Sequence, residues 1–79
     1  MKAIWKWALD SAEVTLDMPE GARLLDVQLQ DGSPVLWALV SRQGQKCSRT
    51  FNIVPDDAGR YIGTFQMADG RLVFHVFEP

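Results

Sequence analysis

The sequence has little of what catalytic and metal sites are built from. Its 79 residues include one cysteine, Cys47, and one histidine, His75. These two cannot make a four-ligand zinc site, and the carboxylates lack the spacing of a calcium loop. The glycines stand singly, so there is no glycine-rich phosphate loop. We therefore expect no metal, no cofactor and no enzymatic activity.

A single cysteine also excludes an intrachain disulfide, which favours a reducing compartment. No apolar run approaches the roughly 18 residues of a membrane-spanning helix. The opening MKAIWKWALD places Lys6 where a signal peptide needs an unbroken apolar stretch. These absences predict a cytoplasmic protein without membrane contact. The net charge of −2 argues against a nucleic-acid partner.

Apolar and polar residues alternate along most of the chain, which is typical of strands. The pattern is clear in KAIWKWAL, EVTLDM and LLDVQLQ, and DGSP and ADG are strong turn signals. PDDAGR is a further loop, with Asp56 and Asp57 as turn formers. A helix over DSAEVTLDM is the competing interpretation of one segment. We predict one all-β domain over residues 1–79, with about seven short antiparallel strands in a small sandwich or partly closed barrel.

Two segments, VLWALV (35–40) and LVFHVF (72–77), do not alternate, so each would be apolar on both sides of a strand. In the second, Leu72, Phe74 and Val76 share one side of a strand. Such strands are either covered on both faces or meet another chain. A chain this short has few residues with which to cover both faces of a sheet. We therefore expect a homo-oligomer, most simply a dimer. A closed barrel is the alternative. The candidate interface residues are Trp37, Val73, His75 and Phe77.

Positive charge is concentrated around SRQGQK (41–46), which we predict to be another turn. No acidic residue occurs between Asp31 and Asp56, whereas Arg42, Lys46 and Arg49 all lie there. A basic hairpin on an acidic protein can hold a phosphorylated small molecule, a nucleotide or an acidic protein surface. These three residues are the candidate ligand-binding or partner-binding group. An ordinary solvated hairpin is the alternative.

The segments MKAIWKW, MPEGARLLDVQLQ, LWALV, YIGTFQ and LVFHVFE together resemble a family of short uncharacterised proteins encoded in phage and prophage genomes. The resemblance implies no catalytic residue. It implies that the protein acts by binding a host macromolecule, for example to antagonise a host defence system. Sequestering a phosphorylated molecule and serving as a structural or assembly component are the alternatives. Where family members often carry a Gly-Thr-Gly-His-like tract, this chain has NIVPDDAG.

Overall fold

The predicted strands are present in the structure. The computed structural model describes residues 1–54 and 59–79. Most of the predicted PDDAGR loop, with Asp56 and Asp57, lies outside the described residues. The helix interpretation of DSAEVTLDM is wrong, because most of that segment is a strand. The strands are β1 (Lys2–Ala8), β2 (Glu13–Pro19), β3 (Arg23–Gln30), β4 (Ser33–Ser41), β5 (Lys46–Val54), β6 (Arg60–Met67) and β7 (Leu72–Glu78).

The strands form two antiparallel sheets in a sandwich. One sheet has the order β1-β4-β3 and the other β2-β5-β7-β6. The sheets do not close on each other, so the sandwich is confirmed and the closed barrel is not adopted. The chain changes sheet after β1, β2 and β4, which interleaves the two sheets in sequence. Neither sheet can therefore complete itself from a continuous piece of chain. In the part of the chain that the structure describes, no helix is long and apolar enough to cross a membrane.

The two hairpins lie at the predicted turn signals. Between β3 and β4, Asp31 and Gly32 have φ angles of 54° and 80°. Two successive positive φ angles give the tight turn whose twist matches antiparallel strands, and glycine makes this conformation inexpensive. Gln30 pairs directly with Ser33 as a result. The ADG signal lies between β6 and β7, which pair up to Met67 and Leu72.

A single apolar core fills the space between the sheets. It comprises residues of inward parity from both sheets, and the least exposed large side chains are Met18, Leu36, Val40, Phe51 and Val76. Full burial of each such side chain is worth about 1.5–3 kcal/mol. The predicted sides of β7 are confirmed, because Val76 belongs to the core cluster and Phe74 packs against it, while Leu72 on the same side is 51% exposed at the start of the strand.

The two segments that are apolar on both sides are interior strands of their sheets. β4 lies between β1 and β3, and β7 lies between β5 and β6. Neighbouring strands therefore flank their outward residues and cover some of them. Phe77 is only 6% exposed although it has outward parity, and Tyr61 packs edge-on against it. Val73 stays 40% exposed. Neighbouring strands of the same sheet thus cover some of the outward apolar side chains, and others stay exposed to solvent.

The free edges of the two sheets meet where β3 contacts β6. Gly63 allows this close approach, because a Cβ at that position would lie 3.0 Å from Cγ2 of Val27. Val27 itself is buried, with 3% of its surface exposed. The β6 strand also carries a bulge between Tyr61 and Gly63. The contact thus requires a residue without a side chain at the edge of the second sheet.

We predict that Gly63→Ala lowers the free energy of unfolding by about 1–3 kcal/mol through overpacking against Val27. Val27→Ala alone costs about 2 kcal/mol because it opens a cavity. In the double variant the methyl group added at residue 63 fills space vacated at residue 27, so its cost is less than the sum of the two. Urea unfolding of all four proteins measures this coupling. Additive costs would show that the two residues do not touch.

Candidate binding surfaces

Arg49, a predicted ligand-binding residue, is part of an internal ion pair. It shares the inward parity of β5 with Phe51, and its guanidinium lies 5.9 Å from that ring. Its Nε donates to Oε2 of Glu78 at 2.7 Å, and its Nη2 donates to Oε1 at 2.8 Å. Its Nη1 donates to the backbone oxygen of Ala22 at 2.7 Å. The side chain therefore joins β5, the end of β7 and the connection between β2 and β3.

The pair changes the acid–base properties of both partners. The hydrogen bond from Arg49 is the main cause that lowers the pKa of Glu78, and the positive charge adds to it while burial opposes both. The same bond raises the pKa of Arg49. The two side chains are 18% and 19% exposed, so water screens the interaction only in part. Arg49 is thus positioned to stabilise the sandwich.

The other two predicted basic residues lie near the β4–β5 connection. Arg42 is exposed, and its backbone N–H donates to the oxygen of Met1 at 3.1 Å. Lys46 is exposed at the start of β5, and its Nζ lies 5.0 Å from the ring centre of Trp5. Arg49 instead points between the sheets. The structure therefore does not bring the three cations onto one exposed surface.

The predicted interface residues lie on two opposite surfaces. Val73, His75 and Phe77 lie on the outer face of the four-stranded sheet, and Trp37 lies on the outer face of the three-stranded sheet. One continuous contact cannot include all four. The structure consequently presents two separate candidate surfaces, which differ in their charge.

The first surface is the outer face of β1-β4-β3, which we call the basic face. Three cross-strand rows form its frame. Leu39 is paired with Ile4 and Arg23, Trp37 with Lys6 and Asp26, and Val35 with Ala8 and Gln28. Lys2 lies beside the end of β4, opposite Ser41. The face thus has an apolar centre along β4 and polar side chains on both flanks.

Positive charge predominates on the basic face. Lys2, Lys6 and Arg23 provide three positive charges against one negative charge from Asp26. The Nζ of Lys6 lies 5.5 Å from the centre of the Trp37 ring and donates to Oε1 of Gln30 at 2.6 Å. A cation held over an aromatic ring in this way is both positioned and still available to a partner.

Ile4 is 60% exposed on the same face, and it adds an apolar group next to the cations. The alternation of KAIWKWAL places Lys2 and Lys6 on the side opposite the tryptophans, but the sequence did not identify this face. The alternation of β1 contained part of the signal. The contribution of Arg23 depends on how β3 pairs with β4, which no local pattern determines.

The second surface is the outer face of β7 and β6, which we call the aromatic face. His75 contacts Tyr61 and Phe77, with ring centres 6.3 Å apart in each case. Nδ1 of His75 shares a 2.8 Å hydrogen bond with Oγ1 of Thr64, which fixes the imidazole ring. Tyr61 is 57% exposed. Among the described residues, the side chains around His75 on this face are aromatic or uncharged.

We predict that Glu78→Gln lowers the free energy of unfolding at neutral pH by about 1–3 kcal/mol, because it weakens charged hydrogen bonds that hold Arg49. Since folding lowers the pKa of Glu78, its contribution is fully present above the ordinary glutamate pKa. The contribution is lost as the pH falls through the folded-state value. Urea unfolding from about pH 7 to about pH 3 should therefore show the difference between the two proteins shrinking toward acid.

Arg42→Met is the control, since it removes an exposed arginine for which the described residues provide no ion pair. It should leave stability nearly unchanged. A constant difference between wild type and Glu78→Gln across the pH range would contradict the assigned role of the ion pair.

The comparisons with known proteins give a family. No curated protein and no solved structure matches the chain. Residues 1–79 match the profile of a family described as a domain of unknown function, DUF7352. The match covers the whole sequence given, including both sheets and both candidate surfaces. The chain therefore belongs to the DUF7352 family.

Proposed function

We propose that this chain is a non-enzymatic binding protein whose basic face docks onto an acidic surface of another protein. The observation that carries the proposal is the composition of that face. Its apolar centre of Ile4, Trp37 and Leu39 is flanked by Lys2, Lys6 and Arg23. Interfaces combine a desolvated apolar centre with a charged rim in this way, and tryptophan and arginine are enriched among their strongest contacts.

A protein partner fits this face better than a nucleic acid. Nucleic-acid surfaces usually combine many cations with several aromatic stacking residues. Here the central groups other than Trp37 are aliphatic, and Asp26 lies opposite Trp37 in the same row. The whole chain is also acidic. Complementary charge would therefore select an acidic protein and speed its association.

The resemblance to short phage and prophage proteins adds a class of partner to the proposal. On that basis the partner is a protein of the bacterial host, met in the cytoplasm. Sequestration of a phosphorylated molecule by Arg42, Lys46 and Arg49 has less support. Three nitrogens of Arg49 already donate hydrogen bonds to Glu78 and to the backbone oxygen of Ala22. A structural role in a particle has no separate observation in its favour.

Self-association through the aromatic face is a second candidate function. Exposed Tyr61 and Val73 flank the fixed His75 ring, and Phe77 completes the cluster. A low-charge aromatic surface of this kind can meet its own copy across a two-fold axis. The basic face lies on the opposite side of the sandwich, so a dimer would leave it free in both copies.

The first proposal predicts the effect of charge reversal on the basic face. Proteins captured from host lysate are identified and purified, and their affinity for the wild-type chain is measured by calorimetry. The double variant Lys6→Glu and Arg23→Glu should weaken the complex by about tenfold or more, since two attractions become repulsions. Added salt should weaken the wild-type complex.

Two Lys46→Glu variants serve as controls for this experiment. Lys46→Glu in the wild-type background reverses an exposed cation away from the basic face and should leave affinity nearly unchanged. Combining Lys46→Glu with Lys6→Glu alone should weaken binding no more than Lys6→Glu does. The proposal fails if Lys46→Glu alone abolishes binding while the double variant on the basic face retains it.

The second proposal predicts a dimer in sedimentation equilibrium. The Val73→Asp variant should be more monomeric than the wild-type chain at the same concentration, because the substitution places a charge in the centre of the apolar contact. Gln28→Asp introduces the same charge on the opposite face and should leave the association constant unchanged. A wild-type chain that stays monomeric from low micromolar to submillimolar concentration refutes self-association.

A further inference from the structure

One end of the sandwich contains a cavity that shares only Ala8, among the described residues, with the two candidate surfaces. Its volume is about 510 Å³, and Leu9, Ile53, Phe65, Met67 and Phe74 form its apolar walls. The rings of Phe65 and Phe74 stack 5.6 Å apart. Pockets for small ligands are typically about 300–1,000 Å³ and mostly apolar. The size and lining are therefore those of a small-molecule site.

The rim of this cavity is anchored to both sheets. It is formed by the connection from β1 to β2, whose first residue is Leu9. The N–H of Leu9 donates to the oxygen of Pro34 in β4 at 3.0 Å. The N–H of Ile53 in β5 donates to the oxygen of Ala12 at 2.8 Å. Because backbone hydrogen bonds fix the rim at both ends, ligand binding would not lose free energy by ordering this segment.

The charge at the rim indicates which ligands are favoured. Among the described residues that line the cavity, Asp10 is the only charged one. The hydroxyl of Ser11 is occupied, since it donates to the backbone oxygen of Glu13 at 2.8 Å. A carboxylate at the mouth of an apolar cavity attracts a cation and repels an anion.

We propose that this cavity binds a small apolar molecule that carries an amine. The apolar part lies among Phe65, Met67 and Phe74, and the ammonium group faces Asp10. Of the described residues that line this site, only Ala8 also belongs to the basic face, which otherwise lies on the outside of the three-stranded sheet. It also differs in ligand class, because the basic face selects acidic groups.

Three naphthalene derivatives of equal size test the proposal: 2-naphthylmethylamine, 2-naphthylmethanol and 2-naphthoate. Calorimetry and ligand-observed NMR should show saturable binding of the amine and the alcohol. The carboxylate should bind at least fivefold more weakly than the amine. Amide chemical-shift changes in the wild-type chain should concentrate at Leu9, Met67 and Phe74.

Two variants and one control connect binding to the cavity. Ala12→Trp adds a large side chain at the exposed rim and should weaken the amine and the alcohol at least tenfold. Gln43→Trp makes the same addition at the far end of the sandwich and should leave both affinities unchanged. Asp10→Asn should weaken the amine by about two- to fivefold, as expected for an exposed charge, and leave the alcohol unchanged.

The proposal is overturned if the folded wild-type chain binds neither the amine nor the alcohol at millimolar concentration. It is equally overturned if the carboxylate binds as tightly as the amine. Where Ala12→Trp does not fold, the shift map of the wild-type chain decides. Shifts concentrated on Ile4 and Trp37 would place the ligand outside the cavity and refute the site.

Discussion

Packing between two small sheets is the constraint on which the rest of this structure depends. Each sheet has one face to bury, and a single layer of side chains, including Leu36, Phe51 and Val76, fills the space between them. The described residues form these two layers and no third one. A domain of this size hides only about 60% of its unfolded surface, so some apolar groups stay outside. The outer faces are where the chain can meet other molecules.

The same constraint explains the internal ion pair. Arg49 has inward parity on β5, so even the partial burial of its charge is unfavourable without a partner. Glu78 and the oxygen of Ala22 supply that partner from two other parts of the chain. These hydrogen bonds therefore compensate the charge of Arg49 and at the same time join β5, β7 and the β2–β3 connection. Arg49 is therefore engaged inside the fold, and the cations of the basic face are Lys2, Lys6 and Arg23.

Much of the fold could be predicted because period-two alternation is a local property. The strands, the sides of β7 and the Asp-Gly turns followed from neighbouring residues alone. The bulge in β6 and the close contact between Gly63 and Val27 did not, since both depend on strands that are distant in sequence. The surfaces were harder for the same reason. From the sequence, Arg49 was a candidate for ligand binding, because nothing local shows that Glu78 pairs with it. The basic face likewise depends on the arrangement in which β1 and β3 flank β4.

The most direct test of this account is solvent relaxation NMR of side-chain methyl groups with a neutral, soluble paramagnetic probe. The central claim is that each sheet turns one face inward and leaves apolar groups of the other face in water. The account predicts strong relaxation of the Ile4 methyl groups on the basic face and weak relaxation of those of Leu36 and Val76. Shielded Ile4 methyl groups in the isolated chain, or Leu36 methyl groups that relax as strongly as Ile4, would contradict it.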